Sequence, residues 1–281
     1  MRCPGYVTDE FLRHVLREDI GRGDMTTDFV YDGRRRGRAV IKAKEDLCLC
    51  GVDLAAYVFF LIDETLESVI LVRDGEYIKK GTPIMEVSGR ADSILKGERT
   101  ALNFLQRMSG IATLSRSYVA ELDAASKTKI VDTRKTTPGL RTVEKYAVRV
   151  GGASNHRFGL DDGIMIKDNH IVMAGSITKA VEAVRRGVHH LMRIEVETTN
   201  LDEVREALKA GADVIMLDNM DEKMMAEAVM IIGDSAITEI SGGVKLEKIN
   251  RLSKLNADFI SVGALTHSAG SRDINLTLVI D

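Results

Sequence analysis

Residues 194–218 read IEVETTNLDEVREALKAGADVIMLD. Two short runs rich in β-branched residues, 194–196 and 214–217, flank an amphipathic stretch over 201–210. β-Branched runs of this length read as strands, and the stretch between them has helical spacing. Strand, helix and strand in that order pair in parallel through a right-handed crossover. Similar runs lie at 129–131, 164–166, 237–240 and 259–262, with amphipathic stretches at 221–232 and 245–255. After the second run the spacing is roughly 21 to 30 residues, which suits a strand plus its crossover helix. Six units fall short of the eight of a complete barrel. No Gly-x-Gly-x-x-Gly comes after the first run, so a dinucleotide fold loses its main support. The expected fold class is therefore α/β, with an open or incomplete parallel α/β barrel.

The first part of the chain is organised differently. Residues 39–44 alternate like a strand, 52–62 form an apolar helix, and 69–87 give short strands with turns at Asp74-Gly75 and Gly81-Thr82-Pro83. A helix is predicted over 91–108, with an apolar stripe through Ile94, Leu95, Leu102, Leu105 and Met108. Glu98 falls within that stripe and Arg99 at its edge. Periodicity alone reads them as a structural carboxylate and a snorkelling arginine. Two domains are expected: 1–108, with the tail 268–281 returning to it, and the barrel at 109–267.

The residues that end each strand carry the chemistry. These ends read Asp132-Thr-Arg134-Lys135, Lys167-Asp-Asn-His170, Glu195-Val-Glu197, Asp218-Asn219, Ser241-Gly242-Gly243 and Gly263. Barrel enzymes place their sites at C-terminal strand ends, and polar ends in every unit point to one. Arg134, Lys135, Lys167, Arg157 and His156 supply cations and donors that match carboxylates and phosphates. The glycines let backbone N–H groups approach an anion. Glu197 and Asp218 suit hydroxyls, a Mg²⁺ brought by the substrate, or positive charge developing on a sugar. Asn169 and His170 read as helix-capping groups or as supports for the groups that touch the ligand. Glu195, one step deeper than Glu197 on the same strand face, reads as a buried structural partner of a lysine.

Composition closes off other classes. A formal net charge of -3, no Trp and 5% aromatics disfavour nucleic acid and acidic membranes as partners. The run Arg34, Arg35, Arg36, Arg38 reads as a solvated turn. Three cysteines without C-x-x-C spacing give neither a disulfide framework nor a zinc site; Cys48 and Cys50 read as packing. With no long apolar segment, a cytosolic, non-membrane protein is expected.

At these residues the chain resembles the quinolinate phosphoribosyltransferases, the carboxylating nicotinate-nucleotide pyrophosphorylases. The resemblance runs nearly end to end: EDIGRGDMTTD (18–28), GERTALNFLQRMSGIAT (97–113), DTRKTTPGLR (132–141), EKYAVRVGGASNHRFGL (144–160) and IKDNHI (166–171). IEVET, IMLDNM, ISGGV and ISVGALTHSA complete it. It implies a type II phosphoribosyltransferase, an N-terminal α/β sandwich domain on the open barrel. The expected assembly is a homodimer, or a hexamer of dimers, with the active site at the dimer interface. The implied substrates are quinolinate and phosphoribosyl pyrophosphate, the latter bringing Mg²⁺ with no fixed protein cage.

Residue by residue, the resemblance implies that Arg99 enters the neighbouring subunit's pocket and that Arg134, His156 and Arg157 bind quinolinate. Lys135 and Lys167 serve both substrates, Glu197 and Asp218 lie beside the ribose and its metal, and Ser241, Gly242, Gly243, Gly263 and His267 cradle the 5′-phosphate. Two related groups fit less well. A paralogue associated with molybdenum transport departs in the arginine-bearing segments, which are intact here. Nicotinate-using relatives handle one carboxylate, whereas three arginines and a histidine suit two. The residues alone leave open an aldolase-type lyase with Lys167 as Schiff base, or a non-enzymatic metabolite-binding protein.

Overall fold

The computed structural model describes residues 1–30 and 35–280, so Arg34 of the basic run lies outside the described residues. The chain divides into two compact units, Met1–Arg116 with Thr137–Gly152 and Ser268–Asp281, and Ser117–Thr136 with Ala153–His267.

The first unit opens with α1 (Asp9–Ile20) and α2 (Met25–Val30), followed by β1 (Arg36–Ala43), β2 (Leu47–Cys48) and α3 (Val52–Ile62). Then come β3 (Glu67–Ile70), β4 (Tyr77–Ile78), β5 (Pro83–Arg90) and α4 (Ala91–Ala120). β1 alternates cleanly, burying Ala39, Ile41 and Ala43 while Arg36, Arg38 and Lys42 face out. It is one of the two inner strands of an antiparallel sheet ordered β12-β1-β5-β3, in which β12 is the C-terminal strand Ile274–Ile280. α3 is apolar nearly all round, and Val52 to Phe59 are buried apart from Asp53. Its first turn is capped by Asp74, whose carboxylate accepts the N–H groups of Gly51 (2.9 Å) and Val52 (3.0 Å). Each fully buried Leu or Ile of this core contributes about 1.5–3 kcal/mol.

The helix predicted over 91–108 runs on to Ala120. Gly110 falls in the added turns, and backbone passes beside it. A Cβ at 110 would stand 2.1 Å from the Gly270 carbonyl oxygen.

The second unit holds β6 (Lys129–Val131), and α5 (Arg141–Val150) of the first unit follows it in sequence. β7 (Ile164–Ile166), α6 (Asp168–Ala174), α7 (Ile177–Gly187), β8 (Ile194–Thr198), α8 (Leu201–Ala210) and β9 (Val214–Asp218) come next. α9 (Glu222–Ile232), β10 (Ile237–Ser241), α10 (Ile249–Ser253), β11 (Phe259–Ser261) and α11 (Ala264–His267) complete it. Its sheet is parallel, in the order β6-β11-β10-β9-β8-β7. Chain order is kept round the sheet except that β6 joins beyond β11, and β6 and β7 are left as edges. This is the expected open barrel. Ser176, Asn200 and Asp221 cap α7, α8 and α9 by accepting N–H groups of the first turn, each contributing about 1 kcal/mol. β8, β9 and β10 run one or two residues past the predicted ends and so bring Glu197, Asp218 and Ser241 into the strands.

Candidate active site

Parallel register gathers the strand ends. Ser261 stands opposite Val131, Ser241 opposite Asp218, Glu197 opposite Met216, and Ile166 opposite Val196. The polar residues that close these strands therefore emerge together at the C-terminal end of the sheet.

β6 is followed by Asp132, which is fully buried. Its carboxylate accepts Nδ2–H of Asn155 (2.7 Å) and the backbone N–H of His156 (2.8 Å). Ser154 donates its N–H to the Ile130 carbonyl (2.8 Å) and accepts that of Asp132 (3.1 Å). These bonds lay residues 154–157 along the free edge of β6, where a closed barrel would have placed another strand. The Arg157 N–H donates to Nδ1 of His156 (2.7 Å). On the other side of the ring, Nε2 lies 3.1 Å from the Glu195 carboxylate and 3.6 Å from that of Glu239.

One expectation is corrected here. Glu195 pairs with a histidine rather than a lysine, because Asp132 brings His156 across the end of the sheet, a placement that local spacing does not encode.

Arg157 donates through Nη1 to the Gly163 carbonyl (2.7 Å). Burial, and next the charge of Arg134, pull its guanidinium below the ordinary value, with Glu195 and Asp162 opposing. Two part-buried guanidiniums within reach of each other's charge repel, and an anion bound near both relieves that repulsion. Lys167, at the end of β7, forms an ion pair with Glu197 on β8. Its backbone N–H donates to Nδ1 of His170 (2.9 Å), the capping role expected of that histidine.

Glycines shape the far side. Asn219 (φ +54°) donates its N–H to the Ser241 carbonyl (3.2 Å) and its side-chain amide to Asp218 (2.7 Å). Gly242 (φ +96°) passes over it in a backbone conformation that L-residues rarely adopt. Gly243 comes next with φ +54°. Gly263 sits between Lys135 and His267, and a Cβ there would lie 3.1 Å from Lys135 Cδ and 3.2 Å from His267 Nε2. The Thr266 hydroxyl ties this turn down by donating to the Lys135 carbonyl (2.8 Å).

Arg99 belongs to the other unit, exposed on α4. Its neighbour Glu98 is half-buried, and burial raises its carboxyl against the pull of the Arg99 charge. Sequence reasoning passed over Glu239 and Thr266. The signal for Glu239 was present, an acid flanked by apolar and β-branched residues in ITEIS. Thr266 has no comparable signal, since a threonine in a turn is ordinary.

These features define an α/β-barrel enzyme whose open end is built for anionic ligands. Residues 24–109 match the family model for the quinolinate phosphoribosyl transferase N-terminal domain, and 111–277 that for its C-terminal domain. A probable carboxylating nicotinate-nucleotide pyrophosphorylase of Bacillus subtilis is 44% identical over 271 residues, covering 96% of this chain and 93% of the relative. The chloroplastic carboxylating nicotinate-nucleotide pyrophosphorylase of Arabidopsis thaliana is 42% identical over 294 residues, covering 98% and 84%. The crystal structure of NadC from Streptococcus pyogenes superposes with a TM-score of 0.95 at 39% identity, covering 100% of this chain and 99% of that one. The chain belongs to the quinolinate phosphoribosyltransferase family.

Proposed function

We propose that the chain transfers the phosphoribosyl group of phosphoribosyl pyrophosphate to the nitrogen of quinolinate. Decarboxylation comes second, and the products are nicotinate mononucleotide, pyrophosphate and CO₂. The observation that carries this reading is that the segment anchored on Asp132 sets His156 and Arg157 at the same sheet end as the Lys167–Glu197 ion pair, with Arg134 near enough to act on Arg157 by its charge. Paired guanidiniums match an acceptor with two carboxylates better than one with a single carboxylate.

In this reading Arg134, His156 and Arg157 hold quinolinate, and Arg99 reaches it from the second subunit of a homodimer. Ser241, Gly242, Gly243, Gly263 and His267 receive the 5′-phosphate. Lys135 and Lys167 take up charge on the leaving pyrophosphate. Glu197 and Asp218 stabilise positive charge on the ribose as the C–O bond breaks and the C–N bond forms. Once the nitrogen is quaternised, the ring accepts the electron pair left when the adjacent C–COO⁻ bond breaks. CO₂ departs, and the ring carbon takes a proton. The carboxylates of Glu197 and Asp218 are already engaged by Lys167 and Asn219, which is no open metal cage. These contacts favour a Mg²⁺ that enters bound to the phosphoribosyl donor. The same ion pair weighs against a Schiff-base role for Lys167, whose Nζ it occupies.

The test is to incubate the protein with quinolinate, phosphoribosyl pyrophosphate and Mg²⁺, with nicotinate in a parallel reaction. Release of CO₂ together with nicotinate mononucleotide from quinolinate alone is expected. Turnover of nicotinate instead, or ligand binding without turnover, would reject the assignment.

A further inference from the structure

β10 buries a carboxyl group that the proposed chemistry leaves unused. Glu239 is the middle residue of that strand, and its side chain is 5% exposed. Glu195 on β8 is nearly as buried, at 8%. A ligand atom from each of Glu239, Glu195 and His156 falls in one group whose members lie within 4.8 Å of one another. Oε1 of Glu195 and Oε1 of Glu239 are both buried without a hydrogen-bond partner. Two ionised carboxylates this close, out of water, repel strongly, so the cluster takes up either a cation or a proton.

His156 decides between them. Its Nδ1 accepts the Arg157 N–H (2.7 Å), so the ring proton sits on Nε2, the nitrogen that faces Glu195. A nitrogen bearing a proton has no lone pair for a metal ion. A proton is left as the occupant, and the surroundings say which acid keeps it. Burial and the Glu195 charge raise the Glu239 carboxyl, against the smaller pull of His156, the Ser261 hydroxyl on β11 and Lys167 at the end of β7. From β9 the residue in register with Glu239 is the apolar Met216.

The geometry points to a one-proton carboxyl pair, Glu239 as acid and Glu195 as anion, that positions His156 in its Nε2–H form at the floor of the acceptor pocket. Glu195 and Glu239 are positioning residues acting through His156, and this role rests on the acceptor-site reading above. Below the raised Glu239 value the pair carries one negative charge and the ring is held. As pH rises through that value Glu239 ionises, the second charge disrupts the pair, and acceptor binding weakens.

The test has two arms, so that its failure is separable from failure of the functional reading. In the first, ¹⁵N-histidine NMR of the unliganded enzyme, with His156 assigned by difference from H156N, reads the tautomer without any turnover. Protonated Nε2 and bare Nδ1 are expected. An imidazolium, an Nδ1–H ring, or broadening of the His156 signals by Mn²⁺ alone would overturn the proposal. In the second, KM for quinolinate and kcat are followed against pH. E239A is expected to raise KM on the order of tenfold at every pH with a smaller change in kcat. E239Q, which keeps the shape and the donor of the acid form, is expected to restore KM and to remove its alkaline rise. E239Q as damaged as E239A, or an unchanged alkaline rise, would reject the pair. If E239A does not fold, E239Q against wild type and the NMR arm still decide.

Discussion

Gly242 passes so close to Asn219 that a Cβ would stand 2.3 Å from Asn219 Oδ1 and 2.5 Å from its backbone nitrogen. Neither atom can retreat easily, because Asn219 is bound to Asp218 and to the Ser241 carbonyl. Together with φ +96°, this makes glycine the one residue that fits at 242.

G242A should therefore cost about 1–2 kcal/mol from backbone strain alone, and more from the displacement of Asn219. The expected signature is a lower Tm with a raised KM for phosphoribosyl pyrophosphate and a smaller change in that for quinolinate. A variant with both KM values unaltered would remove Gly242 from the donor site.

Asp132 is the tether of the other side. D132A leaves the Asn155 amide and the His156 N–H without their charged acceptor, at a cost of roughly 3 kcal/mol. Urea unfolding should show that loss, and the KM for quinolinate should rise as residues 154–157 leave the edge of β6.

R134A removes one half of the guanidinium pair. Quinolinate affinity by calorimetry should fall on the order of a hundredfold or beyond detection, while the unfolding midpoint stays close to wild type. Unchanged affinity would count against the whole acceptor site.

If Arg99 serves the neighbouring subunit, R99A and R134A are each inactive as pure proteins. Mixed after dissociation and reassociation, they should recover part of the activity, because one site in each mixed dimer then has both arginines. No recovery in verified mixed dimers would mean that Arg99 acts within its own chain or not at all.

Acid should loosen the C-terminal strand. Glu45 accepts the Asp273 N–H (2.7 Å) and pairs with Arg272 (2.8 Å), contacts that hold its carboxyl below the ordinary value. A depressed folded-state value means that the contribution is present above the unfolded value of about 4.3 and fades as pH falls through the folded one. Glu45 is 38% exposed, so solvent limits the effect to under about 1 kcal/mol. E45Q should be slightly less stable than wild type at neutral pH, and the difference should vanish in acid.

Much of this was legible in the sequence. Short β-branched runs alternating with amphipathic helices gave the parallel sheet, and the polar residue after each run gave the open end that carries the site. Both come from local rules, since period sets the buried face and strand direction sets which end a residue occupies. The length of α4 was not legible, because the apolar stripe that defines it stops at Met108 and the close approach of Gly270 to Gly110 belongs to the tertiary structure.

Sequence by itself thus determined the strands, their direction and the list of charged residues at their ends. Only the tertiary structure decided which of those residues meet. Glu195, Glu239 and His156 come from β8, β10 and a segment anchored on β6, and strand periodicity is silent about neighbours across a sheet. That meeting is fixed by register and by the Asp132 tether. It is also where burial and like charge raise one carboxyl above its ordinary value, a property that no residue carries alone.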